Sequence, residues 1–203
     1  MARDCVERYK DAKGVLSSFT PGMQYELRRL GDDYIFDGPA PTLAAFAEAF
    51  GRGAAESWTM IQLENLAQMA GSRAKPSPAL IEETAKVIQS EFGFLRLTEL
   101  MFFFLTVKSG EYGKSYGVLD PLTLTDGLRH FLTRRERAIS AIHDKRERLR
   151  QEEEKKRHKP ITYEQYRLNH PLKPGEHSDL DRIIKNAERH PLNKRGRHTW
   201  QTA

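Results

Sequence analysis

The sequence predicts a mostly α-helical protein, in which a small helical bundle is followed by a long protruding charged helix and a basic, partly irregular C-terminal tail. Apolar residues recur every three or four positions in several segments, as they do on one face of an amphipathic helix. Capping residues and glycines stand at the ends of these segments. Charged residues make up 30% of the chain and crowd the region after residue 142.

Residues 1–41 show only short apolar patterns, and their second half is rich in glycine and proline. Residues 3–13 can form a short helix with Val6 and Tyr9 inward, and the composition of the remainder predicts an irregular N-terminal segment with short extended pieces at residues 23–27 and 34–36. The sequence alone does not decide whether residues 1–75 form a separate domain.

Residues 42–142 predict a helical core domain, and the punctuation near residues 71–78 allows a subdivision there. Thr42 is a favourable N-cap for the first helix of this domain. Residues 54–70 and 79–92 repeat apolar positions at helical spacing and predict two further helices.

Residues 96–107 are apolar nearly all round, which is typical of a central helix covered by its neighbours. A β-strand is the alternative for residues 102–107, because short apolar runs fit both structures. The leucine spacing before this run and the presence of Glu99 favour the helix.

Asp120 and Pro121 resemble an N-cap followed by proline at the first helical position. The helix that begins there keeps apolar spacing to residue 142 and continues as a protruding charged helix over residues 143–159, where only Leu149 is apolar. One leucine does not form a heptad seam, so no coiled coil is predicted. Residues 160–203 predict a basic tail with a short helix capped by Ser178.

Positive charge is concentrated in the C-terminal part of the chain. Residues 145–203 hold 16 Lys and Arg against 9 Asp and Glu, a net of +7, so the remaining residues carry −2 of the total of +5. A near-neutral body with a basic tail is typical of a protein that meets a polyanion, although a merely solvated tail is the alternative. The candidate nucleic-acid-binding residues are Lys155, Lys156, Arg157, Lys159, Lys194, Arg195 and Arg197.

The glycine-rich stretch from Lys108 to Asp120, KSGEYGKSYGVLD, carries the second candidate site. Its Lys108, Tyr112, Lys114 and Tyr116 alternate cations with aromatic rings, a composition suited to base stacking or to contact with a protein partner. A structural role fits equally well, because the glycines permit a tight crossover over which the tyrosines can pack.

No catalytic or metal site is predicted. The sequence GEYGKS ends like a phosphate-binding loop, but Lys108 stands where that loop needs its first glycine. Cys5 lies in a charged N-terminus that we expect to be frayed, without a nearby histidine to activate it. A metal-dependent nuclease is a weaker alternative, based on the tail histidines His170, His177, His190 and His198. The sequence indicates no cofactor.

One block of the chain resembles a family of uncharacterised proteins encoded by bacterial phages and conjugative elements. The block reads Glu-Leu, a phenylalanine-rich helix, Lys-x-Gly-x-Tyr-Gly-x-x-Tyr-Gly, Asp-Pro and then Arg-x-Arg. Its residues are Glu99, Leu100, Phe102 to Phe104, Lys108, Gly110, Tyr112, Gly113, Tyr116, Gly117, Asp120, Pro121, Arg135 and Arg137. The resemblance implies a role in replication, transfer or their control. The layout of body, charged helix and basic tail is also similar to that of replicative helicase loaders.

We therefore expect a non-enzymatic replication accessory of a mobile element that tethers nucleic acid, a helicase or both. The alternative is a structural or assembly protein of a phage or transfer apparatus, whose tail orders on docking to a protein partner. Nucleic acid and a protein are the expected partners. A cytoplasmic location without membrane contact is also expected, because no apolar run reaches the length of a membrane span and one cysteine offers no internal disulfide.

Overall fold

The computed structural model describes residues 2–69, 76–112, 121–157 and 163–169, together with residues 183 and 185. These residues form α-helices and one short 3₁₀-helix, and no strand occurs among them. The nearest approach to a sheet is a single antiparallel bridge between Thr42 and Arg96. The predicted mostly α-helical fold is confirmed.

The N-terminal segment is helical, so the prediction of an irregular stretch with extended pieces is wrong. Its elements are α1 (Ala2–Tyr9), α2 (Ala12–Ser18), a 3₁₀-helix (Pro21–Met23), α3 (Gln24–Leu30) and α4 (Asp32–Asp37). These helices are too short to be stable alone, and they owe their stability to packing rather than to local propensity. Leu27 and Ile35 are fully buried, and both lie within the segments that were expected to be extended.

Helices α5 (Leu43–Phe50), α6 (Arg52–Met69) and α7 (Pro78–Phe92) agree with the predicted pattern. The Thr42 side chain accepts a hydrogen bond from the Ala45 amide at 3.1 Å, which confirms its predicted capping role. Backbone hydrogen bonds also join the start of α5 to the segment that follows α7. The amides of Leu43 and Ala44 donate to the carbonyls of Leu95 and Gly93, respectively.

Helix α8 (Leu97–Lys108) is the centre of the fold, and the alternative of a strand at residues 102–107 is wrong. Every residue from Leu97 to Thr106 is buried. Helix α9 (Pro121–Arg157) begins at Pro121, as predicted, and its Phe131 meets the rings of Phe36, Phe102 and Phe103 at centroid distances of 5.7 to 6.4 Å. This aromatic cluster joins α4, α8 and α9.

The chain divides into two compact units, Met1–Arg150 and Gln151–Ala203. In the first unit, buried residues of the N-terminal helices belong to the same hydrophobic core as those of α5 to α9. The second unit contains the end of α9 and helix α10 (Tyr163–Asn169). The short helix expected after Ser178 falls largely outside the described residues. No helix among the described residues has the length and apolar character to cross a membrane.

Candidate nucleic-acid and partner-binding surfaces

The last turn of α9 carries three of the predicted nucleic-acid-binding residues. Lys155, Lys156 and Arg157 are exposed, and none forms an ion pair with another residue that the structure describes. Residues 152–154 are all glutamates and precede them directly. The remaining candidates lie outside the described residues: Lys159, Lys194, Arg195 and Arg197.

Two basic residues at the start of the charged region have a different role. Lys145 Nζ lies 3.4 Å from Asp33 Oδ2, and Arg146 pairs with both Asp33 and Asp37 on α4. Their charges are balanced by these carboxylates within the first unit. The sequence pattern did not distinguish Lys145 and Arg146 from the three cations at the end of α9, which have no ion-pair partner among the described residues.

The glycine-tyrosine loop is described only at its start. Tyr112 packs on Phe103 with a ring-centroid distance of 5.5 Å, and its ring also lies beside Gly127 of α9. This packing supports a structural role for Tyr112, which was one of the two roles that the sequence left open. The other two candidates of the loop, Lys114 and Tyr116, lie outside the described residues.

Lys108 ends α8 and is held in a polar network that the sequence did not reveal. Its ammonium donates to Gln24 Oε1 at 2.8 Å and to Asn65 Oδ1, and it lies 5.8 Å from the centre of the Tyr25 ring. Partial burial lowers the pKa of Lys108, since a charged amine loses hydration there. No described carboxylate lies within ion-pair distance of it.

One acceptor of Lys108, Gln24, is itself fixed by buried hydrogen bonds. Gln24 Nε2 donates to Gln62 Oε1 at 2.6 Å, and Gln62 Nε2 donates to the Phe19 carbonyl at 2.9 Å. Trp58 Nε1 donates to the same carbonyl at 2.8 Å. Because Gln24 and Gln62 are fully buried, their amides have little freedom to turn. The residues come from separate helices and have no common sequence motif, so no local pattern could have revealed them.

Glu99 is a second buried ionisable group, which the sequence singled out as a sign of helix and as part of the resemblance block, but not as a buried site. Its Oε2 accepts from the Arg96 backbone amide at 2.7 Å, at the start of α8, and its Oε1 accepts from Arg135 Nε at 2.7 Å. Burial raises the pKa of Glu99, whereas the Arg96 amide and the Arg135 guanidinium oppose this rise. A glutamate in an otherwise apolar helix was the available signal for a buried role.

Cys5 is buried, which corrects the expectation that it lies in a frayed terminus. Burial raises the pKa of its thiol, so the reactive thiolate is disfavoured. A cavity of about 320 Å³ adjoins Cys5. Arg8 and Arg96 line this cavity, and both guanidinium groups donate to backbone carbonyls, those of Pro39 and Ala40.

No cluster of metal-ligating side chains occurs among the described residues. The four histidines of the nuclease alternative, at positions 170, 177, 190 and 198, lie outside that part of the chain. The described surfaces therefore offer exposed cations at the end of α9 and a half-buried amine at Lys108. Both groups bind anions in proteins.

A family of unknown function (DUF6633) matches residues 76–176 of the chain. The match covers just under half of the sequence and includes Glu99, Lys108, Arg135 and the cations at the end of α9. No curated protein and no solved structure matches the chain significantly.

Proposed function

We propose that the protein is a non-enzymatic adaptor that tethers nucleic acid through its basic tail, as an accessory of replication in a mobile element. The observation that supports this proposal best is the separation of charge. Residues 145–203 carry +7, whereas the remainder carries −2. The segment around Lys108 resembles proteins of phages and conjugative elements, which supports a role in replication. The layout of the chain is similar to that of helicase loaders, so the partner that is tethered to DNA can be a ring helicase.

The exposed cations at the end of α9 support the same proposal. Lys145 and Arg146 are paired with Asp33 and Asp37, but Lys155, Lys156 and Arg157 have no such partner among the described residues. A cation that is not paired within its own protein binds phosphate without first breaking an ion pair. Each phosphate so neutralised releases condensed counterions, which makes the affinity depend on salt.

The proposal is tested by fluorescence anisotropy with labelled single-stranded and double-stranded DNA across a salt series. The full chain is compared with a full-length variant in which the seven candidate tail cations are replaced by glutamine. A control variant carries Lys13→Gln, Arg28→Gln and Arg52→Gln, which remove exposed charge from the body. We expect affinity that falls steeply with salt in the full chain and the control, and little binding in the tail variant. Equal binding by the tail variant and the full chain contradicts the proposal.

The alternative is a structural or assembly protein whose tail docks on a protein. Exposed apolar side chains in the second unit favour it: Tyr166, Leu168 and Ile183 are 40%, 80% and 62% exposed. A protein partner would remove such side chains from water. Absence of DNA binding by the full chain, at low salt and with both kinds of DNA, leaves this alternative as the supported one.

A further inference from the structure

We infer that the surface formed by Tyr25, Ile61, Asn65, Met69 and Lys108 binds a protein segment in which an acidic residue is flanked by apolar residues. We call these five residues the Lys108 surface. The inference does not depend on the proposed function, because none of the five residues belongs to the basic tail.

The charge of Lys108 calls for an anionic ligand. An ammonium group has three N–H donors, and two of them are used by the neutral amide oxygens of Gln24 and Asn65. Within the part of the chain that the structure describes, no acceptor is seen for the third donor, which is available to a further oxygen. The carboxyl end of α8 supplies partial negative charge, about half an elementary charge, and so balances the ammonium only in part. A carboxylate from a partner would supply the rest.

The Gln24 amide that accepts from Lys108 is held in place before any ligand arrives. Gln24 is fully buried and donates to Gln62, which in turn donates to the Phe19 carbonyl. This chain of hydrogen bonds directs Gln24 Oε1 toward Lys108 Nζ. A ligand therefore meets a cation that is already oriented, and less conformational entropy is lost on binding.

Exposed apolar side chains lie on the helix face that carries Asn65, and the Tyr25 ring lies near the ammonium. Ile61 and Met69 lie one helical turn before and after Asn65, so the three share a face of α6. Ile61 is 41% exposed, Met69 58% and Tyr25 54%, although all three are apolar or aromatic. Methionine and tyrosine are enriched at protein interfaces, where they bury a large area against a partner.

This composition favours a protein segment over nucleic acid. The five residues supply a single positive charge, whereas a surface that binds nucleic acid needs several cations along the phosphate backbone. One carboxylate placed between apolar side chains would pair with Lys108 and cover Tyr25, Ile61 and Met69 together.

The test begins with selection of a random peptide library, displayed on phage, against the full chain. Enriched peptides are synthesised with a fluorescent label, and their binding is measured by anisotropy. We expect the enriched peptides to share an Asp or Glu beside apolar residues. Lys108→Met, which keeps the length of the side chain and removes its charge, should weaken binding about tenfold. The exposed Lys13→Gln should leave binding unchanged.

A second comparison uses the unaltered protein, so that it does not depend on the folding of a variant. The acidic residue of the selected peptide is changed to its amide, and the affinity should again fall about tenfold. The inference is overturned if no peptide is enriched, if the enriched peptides lack an acidic residue, or if neither change affects the affinity. Competition with a single-stranded oligonucleotide gives a further check. If the oligonucleotide displaces the peptide from the variant with seven tail cations replaced by glutamine, but does not bind Lys108→Met, the surface binds nucleic acid and the inference is overturned.

Discussion

The guanidinium of Arg135 on α9 donates from Nε to Oε1 of Glu99 on α8 at 2.7 Å, and Glu99 has no exposed surface. The second oxygen of the same carboxylate accepts from the Arg96 amide and caps α8. One buried side chain therefore both starts the central helix and attaches the longest helix to it. Both Glu99 and Arg135 belong to the block that carries the resemblance, which gives those two positions of the block a structural purpose.

Loss of Arg135 should destabilise the protein, because it leaves the Glu99 carboxylate buried without its cation. We expect Arg135→Gln to lower the free energy of unfolding by about 2 to 3 kcal/mol. This loss is smaller than that expected for a fully buried ion pair, because solvent reaches Arg135. Urea denaturation measures this. The exposed neighbour Arg137→Gln serves as the control, with an expected change within about 0.5 kcal/mol. Equal losses in the two variants would show that the ion pair has no special importance.

The destabilisation by Arg135→Gln should depend on pH. The pKa of Glu99 is raised above its ordinary value of 4.5, so the folded protein holds this proton more tightly than the unfolded chain. Stability from this group is therefore present at low pH and falls as the pH rises through the raised pKa. Without Arg135 the pKa of Glu99 rises further, since the Arg135 guanidinium opposes the effect of burial on this carboxyl group. The difference in unfolding free energy between the two proteins should therefore shrink on acidification from pH 7 and be lost by about pH 4.5, because the pKa of Glu99 lies above 4.5 in both folded proteins. A difference that stays constant across this range would contradict the assignment.

Helices α5 to α9 could be predicted because their signals are local, whereas α10 was not predicted. Thr42 caps α5, Pro121 starts α9, and the all-apolar run marks α8 as central. The short helix expected at residues 3–13 corresponds to α1, but α2 to α4 could not be predicted, since each has only one or two turns and depends on distant partners. Thr98 shows this dependence: its hydroxyl donates to the carbonyl of Ile35 at 2.8 Å across 63 positions of sequence.

The candidate sites were predicted only in part, for the same reason. Lys108 was selected for its place in a glycine-tyrosine stretch, but its contacts are with Gln24 and Asn65 on other helices. Tyr112 was expected either to stack on a ligand or to pack within the protein, and it packs on Phe103. Tyr25, the exposed ring beside Lys108, has no motif around it. Composition identified the kinds of group present, whereas their neighbours depend on the tertiary fold.

The aromatic cluster should contribute more to stability than any other contact of α9. Phe131 is fully buried and touches rings from both α4 and α8. Phe131→Ala should lower the free energy of unfolding by about 3 to 5 kcal/mol through lost transfer energy and a new cavity. Leu132→Ala, at a partly buried neighbouring position, should cost less, and the comparison is made by urea denaturation with both variants. A larger loss at Leu132 would place the main contact elsewhere.

Gly127 permits α9 to approach Phe103 and Tyr112 closely. A Cβ atom at this position would meet two ring carbons of Phe103 at 3.4 Å and Tyr112 at 3.7 Å, which is the limit of ordinary contact. Gly127→Ala should be tolerated, because up to about 1 kcal/mol of helix propensity offsets the tight fit. Gly127→Leu should destabilise by about 1 to 3 kcal/mol through overpacking. Thermal unfolding separates the two variants, and a leucine variant as stable as the alanine variant would show that the rings have room to move.

The three cations at the end of α9 should contribute to DNA affinity as phosphate contacts. Each contact contributes about 0.9 to the logarithmic salt slope for duplex DNA and about 0.7 for single strands. Replacing Lys155, Lys156 and Arg157 by glutamine should therefore flatten the slope by about 2 to 3 and weaken binding most at low salt. The control variant with Lys13, Arg28 and Arg52 replaced by glutamine removes the same number of charges from the body and should keep the slope. If both variants lose affinity equally, the affinity for DNA depends on the net charge of the protein alone, and the end of α9 is not a specific DNA-binding site.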